Sequence, residues 1–306
     1  MVKLWLMGLS IVIVNYNTKG ILVKCLKNLE EVTPEAQVIV VDSGSNDGSV
    51  EAVTSQFPKT ICVASKTNVG LAAGINLGIA KAQGDYVLLL GTDAYPNKET
   101  LPYLINFMNK NPRVGVTTCQ LLLRDGLIDQ DAHRGFPTPW VAISHFLGLG
   151  KLFTRSKIFN SYFLGFKDFS QTQEIDLCIS HFMLVKKQTL LEVGPMDEGF
   201  FVYGEDVDFC YRVKEKGWKI FYIPEVSALH YKGASVGVRP ETFDITKASR
   251  DTKIKMAESS TGAMKRFYQK HLAAKYPKII LALVFLLIKL KKTTRSWKYS
   301  QLTTSS

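Results

Sequence analysis

"QVIVVDSGSNDGS" (residues 37–49) decides how the chain is read. Its apolar run, Val38 to Val41, suits a strand buried on both faces of a covered sheet. Asp42 ends the run, and Ser43, Gly44, Ser45 and Asn46 supply a turn. Asp47 then stands where a helix N-cap is expected, ahead of "SVEAV". The same design recurs outward from this stretch: "LSIVIVNYN" (9–17) before it, "TICVAS" (60–65) and "DYVLLLGTDA" (85–94) after it. Helical patterns lie between, at about 18–32, 48–56, 70–83 and 97–110. Strand and helix alternate through short loops. The expected fold is therefore α/β, with a mostly parallel twisted sheet covered by helices on both faces. Ligands of such sheets bind beyond the carboxyl ends of the strands. Those ends carry Asn15, Tyr16, Asn17, Asp42, Ser65 to Asn68, and Asp93.

Beyond this region the pattern changes. Residues 119–180, including "HRGFPTPWVAISHFLGLGKLF", have no clean period and read as a long, partly helical insertion. Regularity returns at "SHFMLVKKQTLLEVG" (180–194), a strand followed by a short helix. Charge is uneven as well. Fourteen of the 38 Lys/Arg but only two of the 27 Asp/Glu lie in 246–306, a balance of +12 against −1 for the first 245 residues. The expected division is a main domain over 1–245, with a nucleotide-binding half (1–115) and an acceptor or catalytic half (116–245). A basic helical tail (246–306) follows. In "KYPKIILALVFLLIKLKKTTRSWK" (275–298) the apolar core Ile279 to Ile288 falls short of the roughly twenty residues a span requires. It suits a helix lying in an anionic membrane surface, with Lys289, Lys291, Lys292, Arg295 and Lys298 toward headgroups. A core or oligomer-contact helix is the plainer alternative. "SQLTTSS" reads as a frayed end. "MVKLWLMGLS" lacks the length and cleavage site of a signal peptide, though Leu4, Trp5 and Leu6 could meet apolar surface. Cys25, Cys62, Cys119, Cys178 and Cys210 form no CxxC and sit in apolar patterns, as expected of reduced thiols in a cytosolic compartment.

Several acids stand where chemistry could use them. Asp42 has no structural task that the pattern demands. At a strand end it can accept from a base imide or a ribose hydroxyl, or simply cap its loop. Gly70, Gly74 and Gly78 give a helix a bare N-terminal flank. A diphosphate could approach there, although close helix packing explains the spacing equally well. Asp93 follows the apolar "YVLLLGT" and suits a divalent cation bridging diphosphate oxygens, or simply a turn ahead of Pro96. In "FFVYGEDVDFCYRVKEKGWKIFYIPEVSALH" (200–230) the pair Glu205–Asp206 opens a helix. Either could serve as a general base. Asp208 and Arg212 form an i,i+4 pair. His230 ends the next strand and could give a neutral imidazole to the same cation.

Taken in order, "SIVIVNYN", "VIVVDSGSNDGS", "TNVGLAAGINLGIAKAQGDYVLLLGTDAYP" and the 200–230 stretch closely resemble the family 2 glycosyltransferases of GT-A fold. The resemblance is strongest to the bacterial rhamnosyltransferase-like branch that builds cell-surface polysaccharide on lipid carriers, and it covers roughly 8–240. It implies inverting transfer from a nucleotide-diphosphate sugar (dTDP- or UDP-linked) to a saccharide or lipid-linked acceptor, at the inner face of the cell membrane. It places donor nucleotide near Asn15, Tyr16, Asn17, Asp42, Asn68 and Gly70. Asp93 and His230 fall at the Mg²⁺ or Mn²⁺ site, and Asp206 at the base, with Glu205 beside it. One departure stands out: the pattern has Asn or Asp two residues before Asp93, and this chain has Gly91. The QxxRW motif of processive members is absent, which implies one sugar per encounter.

Two other readings compete. A sugar nucleotidyltransferase shares the alternation and an acidic metal site, but it would carry a basic phosphate loop where "NYNTKG" offers only Lys19. A non-catalytic, membrane-bound transferase-like binding protein would explain Gly91, but not the presence together of Asp42, Asp93 and Asp206. Nucleic acid is disfavoured as a partner, because the tail's charges flank an apolar run instead of interleaving with aromatics.

Overall fold

The computed structural model describes residues 8–237 and 239–301, without the side chains of 240 and 294–301. Leu4, Trp5 and Leu6, the Arg295 and Lys298 side chains and residues 302–306 lie outside the described residues.

The alternation in the first 110 residues forms as read. Strands β1 (Leu9–Asn15), β2 (Gln37–Asp42), β3 (Ile61–Ala64) and β4 (Tyr86–Leu90) alternate with helices α1 (Lys19–Val32), α2 (Ser49–Gln56) and α3 (Leu71–Ile79). The short strand β5 (Ala94–Pro96), helix α4 (Thr100–Lys110) and the long strand β6 (Val114–Leu122) follow. The four strands β3-β2-β1-β4 are parallel, and Asn15 sits directly beside Asp42. Past β4 the sheet is mixed. β8 (Phe182–Lys186) enters antiparallel to β4, with Leu90 opposite Phe182. β9 (Lys219–His230) runs parallel to β6 and antiparallel to β5, with Ala94 opposite His230. β7 (Gln173–Ile175) pairs with β9 off the main path. The sheet as a whole is therefore mixed: the first four strands are parallel, as expected, and beyond them β6 and β9 run parallel while β5, β7 and β8 pair antiparallel. β8 and β9 follow the aperiodic 119–180 region, where no βαβ crossover enforces one direction.

That region contains the end of β6, a 3₁₀ turn (Gln130–Ala132), helices α5 (Pro139–Phe146) and α6 (Leu149–Leu152), and β7. The second half continues with α7 (Lys187–Val193), α8 (Glu205–Glu215), α9 (Arg250–Phe267), a π turn (Tyr268–Leu272) and α10 (Lys278–Gln301).

Strand side chains alternate between two apolar layers. Leu9, Ile11 and Ile13 of β1 join Leu22, Leu26, Leu101 and Leu104 beneath α1 and α4. Val12 joins Ala72, Ile75, Leu190 and Phe209 beneath α3, α7 and α8. A third cluster of Ala142, Phe200, Phe267, Tyr268, Leu281 and Val284 binds α9 and α10 to the body. The opposite edge of α10 leaves Ile279, Leu283, Leu286 and Leu290 exposed at helical spacing. Among the described residues no helix is long and apolar enough to cross a membrane.

One local expectation is corrected, and one alternative left open by the sequence is decided. The N-cap of α2 is Gly48, in the left-handed region, and not Asp47. The Asp47 carboxylate instead accepts from the Ser49 and Lys19 amides, tying the starts of α2 and α1 together. The glycines of α3 serve packing. A Cβ at Gly74 would lie 2.7 Å from Val14, and one at Gly78 2.2 Å from Val12, both on β1.

A methyl group at 78 ought to strengthen α3 by roughly 1 kcal/mol through helix propensity. Val12 is buried and β-branched, so it cannot yield. Gly78→Ala is expected to lower unfolding free energy by about 1–3 kcal/mol, with partial recovery in Gly78→Ala/Val12→Ala, read by urea denaturation.

Candidate active site

The predicted residues gather along one edge of the sheet, where β2, β1 and β4 end and the antiparallel β8 begins. Asn15 Nδ2 donates to Asp42 Oδ2 at 2.8 Å, and the Ser45 amide donates to Asp42 Oδ1 at 2.8 Å. Both groups are buried. Asp42 thus caps its own loop, and its remaining lone pairs are what it offers a ligand. Thr18 Oγ1 donates to Asn15 Oδ1 (2.5 Å) and lies 3.4 Å from Thr92 Oγ1, which links this pair to the Asp93 turn. Tyr16 is exposed. Asn17 adopts φ +53° and accepts from the Asn46 amide, bracing the same loop.

Asn68 Oδ1 accepts from the Gly70 amide (2.9 Å) and from Ser43 Oγ (3.2 Å). Gly70 has φ +84°, and a Cβ there would meet the Phe201 carbonyl at 2.5 Å. The Leu71 amide donates to that same carbonyl at 2.7 Å. The loop that leads to the acid pair thus packs against the N-terminus of α3, where the sequence left diphosphate and close packing as alternatives.

Asp93 is fully buried. Its Oδ2 accepts from the Ser235 amide at 3.2 Å, while Oδ1 has no hydrogen-bond partner among the described residues. His230 Nε2, also buried and without a partner, lies 3.8 Å from that oxygen. The β5–β9 pairing brings them together, because Ala94 follows Asp93 and stands opposite His230. His230 Nδ1 lies 2.9 Å from Asp129 Oδ2. A carboxylate at Nδ1 fixes the proton there and leaves Nε2 as a lone-pair donor, a common support for metal-binding histidines. Burial opposes ionisation of Asp129, but His230 and Lys232 outweigh it and hold its pKa below the usual carboxylate range. One donor atom each from Asp93, His181 and His230 lies within 4.8 Å of the others. Burial lowers the pKa of His181, which favours its neutral form. Two buried orphan atoms and a half-buried neutral imidazole at one point fit a divalent cation.

The acid pair begins α8 just past the Gly204 turn, with Tyr203 at φ +68°. Asp206 Oδ2 pairs with Arg134 at 3.2 Å, and Arg134 also donates to the Tyr162 hydroxyl at 3.0 Å. Glu205 Oε1 accepts from Ser180 Oγ at 2.9 Å, and its Oε2 has no partner among the described residues. Burial, reinforced by neighbouring Asp206, pushes the Glu205 carboxyl up to about 8. Burial thus favours the protonated form of Glu205, while Asp206 faces the Arg134 guanidinium. Asp208 points away, as expected, and binds Arg212 (2.8 Å), Lys270 (2.7 Å) and His271 (2.7 Å). Those last two residues anchor the C-terminal helices to the acid-bearing helix.

Sequence reasoning did not find Arg134, His181, Asp129 or Ser180. All four lie in or beside the aperiodic region, 25–101 residues from the partners just described. "DAHRGFP" and "SHFML" hold polar residues in otherwise apolar or irregular surroundings, which is the only signal they carry.

Residues 10–193 match the family described as Glycosyl transferase family 2. The chain is 25% identical over 266 residues to an N-acetylglucosaminyl-diphospho-decaprenol L-rhamnosyltransferase of Mycobacterium tuberculosis, covering 83% of this chain and 85% of that protein. It is 28% identical over 233 residues to rhamnosyltransferase WbbL of Escherichia coli, covering 72% and 82%. A similar solved structure is the mannosyltransferase PcManGT of Pyrobaculum calidifontis, in complex with GDP-Man and Mn²⁺. Its TM-score is 0.57 at 18% identity, over 98% of this chain and 76% of that one, a likeness of GT-A fold.

The raised Glu205 pKa has a consequence for stability. The unfolded residue ionises near 4.5 and the folded one near 8, so the folded state holds the extra proton between those values. Stability is expected to fall as pH rises through that window. Glu205→Gln, which keeps an acceptor for Ser180, should flatten this dependence when urea midpoints are compared across it.

Proposed function

The chain belongs to glycosyl transferase family 2, and on that premise we propose that it carries out inverting, one-step transfer of a single sugar from a nucleotide-diphosphate donor to a hydroxyl of a lipid-linked or cell-surface saccharide. The observation that carries this reading is the acid pair at the mouth of α8, where Asp206 is held by Arg134 and Glu205 by Ser180. Burial favours the protonated form of Glu205. In the proposed step the Asp206 carboxylate takes the proton of the acceptor hydroxyl. The acceptor oxygen forms its bond to the anomeric carbon as the bond from that carbon to the diphosphate oxygen breaks, and the nucleoside diphosphate leaves with the electron pair. Arg134 holds Asp206 in place, and Glu205, in its protonated form, does not compete for the proton.

The donor nucleotide is assigned to the lip formed by Asn15, Tyr16, Asn17, Asp42 and Asn68. Gly70 supports that lip by admitting Phe201, in place of the direct contact expected from sequence. A divalent cation, Mg²⁺ or Mn²⁺, held by Asp93 and His230 would supply positive charge for the leaving diphosphate. The names of the mycobacterial and Escherichia relatives favour rhamnose, hence a dTDP donor; UDP-hexoses are the alternative.

The body over 1–245 would bear the chemistry, and 246–306 would seat it on the inner face of the cell membrane. The exposed stripe Ile279, Leu283, Leu286 and Leu290 supports that assignment, and Lys289 is exposed beside it. Lys291 and Lys292 contribute less than their number suggests, since Lys291 lies over the Phe146 ring and Lys292 pairs with Glu258.

Asp206→Asn is expected to lower turnover by about 10²–10⁴-fold while donor binding stays near wild type, measured by nucleoside diphosphate release and calorimetry. Release of pyrophosphate in the wild-type assay would point to nucleotidyl transfer instead. Serine at 283, 286 and 290 together should weaken binding to phosphatidylglycerol vesicles by more than about tenfold, since a fully buried leucine contributes about 1.5–3 kcal/mol. Unchanged flotation would remove the membrane assignment.

A further inference from the structure

Gly91 is where this sequence departs from the metal-site pattern it resembles, and the space beside it is filled. An ideal Cβ at 91 would fall 2.6 Å from His181 Cδ2 and 2.9 Å from Asp93 Oδ1. A side chain at 91 would therefore point to the spot that the unpartnered Asp93 oxygen faces, and the His181 ring occupies that spot instead. The placement follows from the sheet. β4 and β8 pair antiparallel with Leu90 opposite Phe182, and the Gly91 amide donates to the His181 carbonyl at 2.9 Å, extending the pairing by one step. A larger residue at 91 and a histidine at 181 cannot both be accommodated without movement.

We propose that His181 is a protein ligand of the cation at Asp93 and His230, filling the place left by Gly91, and that this two-imidazole, one-carboxylate set selects divalent transition metals over Mg²⁺. The proposal deepens the functional reading above and rests on its cation site. Mg²⁺ prefers oxygen donors and retains water, whereas imidazole suits the later first-row ions. Replacing a carboxylate by a neutral ring also removes a negative charge, which weakens the attraction for a hard cation most. The second support is Asp129, which holds His230 through Nδ1 and leaves Nε2 free to bind. Among the described residues no hydrogen bond holds the His181 ring, which packs against the His230 ring with centroids 5.5 Å apart.

The test reads metal binding and does not require turnover. Full-length protein is stripped with chelator and titrated with Mn²⁺ alone. Bound ion is followed by electron paramagnetic resonance, and pulsed measurements count the imidazole nitrogens at the metal. Wild type is expected to show two imidazoles, to yield its Mn²⁺ to stoichiometric Co²⁺, and to keep it against about a hundredfold excess of Mg²⁺, in line with the order of divalent affinities for nitrogen donors. His181→Gln should show one imidazole and bind Mn²⁺ about tenfold or more weakly. Gly91→Asp/His181→Ala, which restores an acid and vacates its space, should recover binding and let Mg²⁺ compete. One imidazole in the wild-type spectrum, equal Mn²⁺ affinity in His181→Gln, or absence of Mn²⁺ binding in the stripped protein would overturn the proposal. The wild-type count stands whether or not the variants fold, and an inactive enzyme that still shows two imidazoles would count against the transfer reading only.

Discussion

The antiparallel contact between β4 and β8 is the constraint on which the rest of the site depends. Five residue pairs, from Tyr86–Lys186 to Leu90–Phe182, join a parallel sheet built by the first 90 residues to strands drawn from the second half. β4 ends where β8 begins, so the Asp93 turn and the Ser180–His181 segment face one another. Ser180 then reaches Glu205, and His181 reaches the Asp93–His230 pair. Slipping this ladder by one residue would turn His181 to the opposite face of the sheet and separate the cation site from the acid pair.

Buried charge is distributed unevenly along the edge, and the unevenness is informative. Asp42, Asp129 and Asp208 are each satisfied by neighbours: Asn15 and a loop amide, His230 and Lys232, and the Arg212–Lys270–His271 group. Among the described residues Asp93 Oδ1, His230 Nε2 and Glu205 Oε2 have no hydrogen-bond partner. Leaving buried polar atoms unmatched costs about 1–3 kcal/mol each. Under the proposed function, the first two would hold a cation and the third would lie beside the general base.

The C-terminal helices are more closely tied to that chemistry than a membrane tether would be. Asp197 accepts from Arg266 and Lys270, and Asp208 from Lys270 and His271. Phe200 and Ala263 share one apolar cluster. The 197–204 loop, whose Phe201 carbonyl caps α3, is thus clamped from behind by α9 and the π turn. Seating α10 on a surface would bear directly on the loop that presents Asp206.

Much of the site was legible in the chain itself. Apolar runs ending in Asn or Asp announced β1, β2 and β4 and placed Asn15, Asp42 and Asp93 at one edge, because a parallel sheet puts all its carboxyl ends on the same side. The helix start at Glu205 and the Asp208–Arg212 pair were equally plain, since both depend on neighbours a turn away. Sequence alone could not supply Arg134 for Asp206, Asp129 for His230, or His181 for the gap at Gly91. Those partners meet through strand pairing and loop closure across many tens of residues, and periodicity carries no information about which distant side chain will share a buried space. Local hydrophobic pattern determined the elements and their polarity. Only packing in three dimensions decided which charges were satisfied, which were left open, and that the glycines of α3 serve contact with β1.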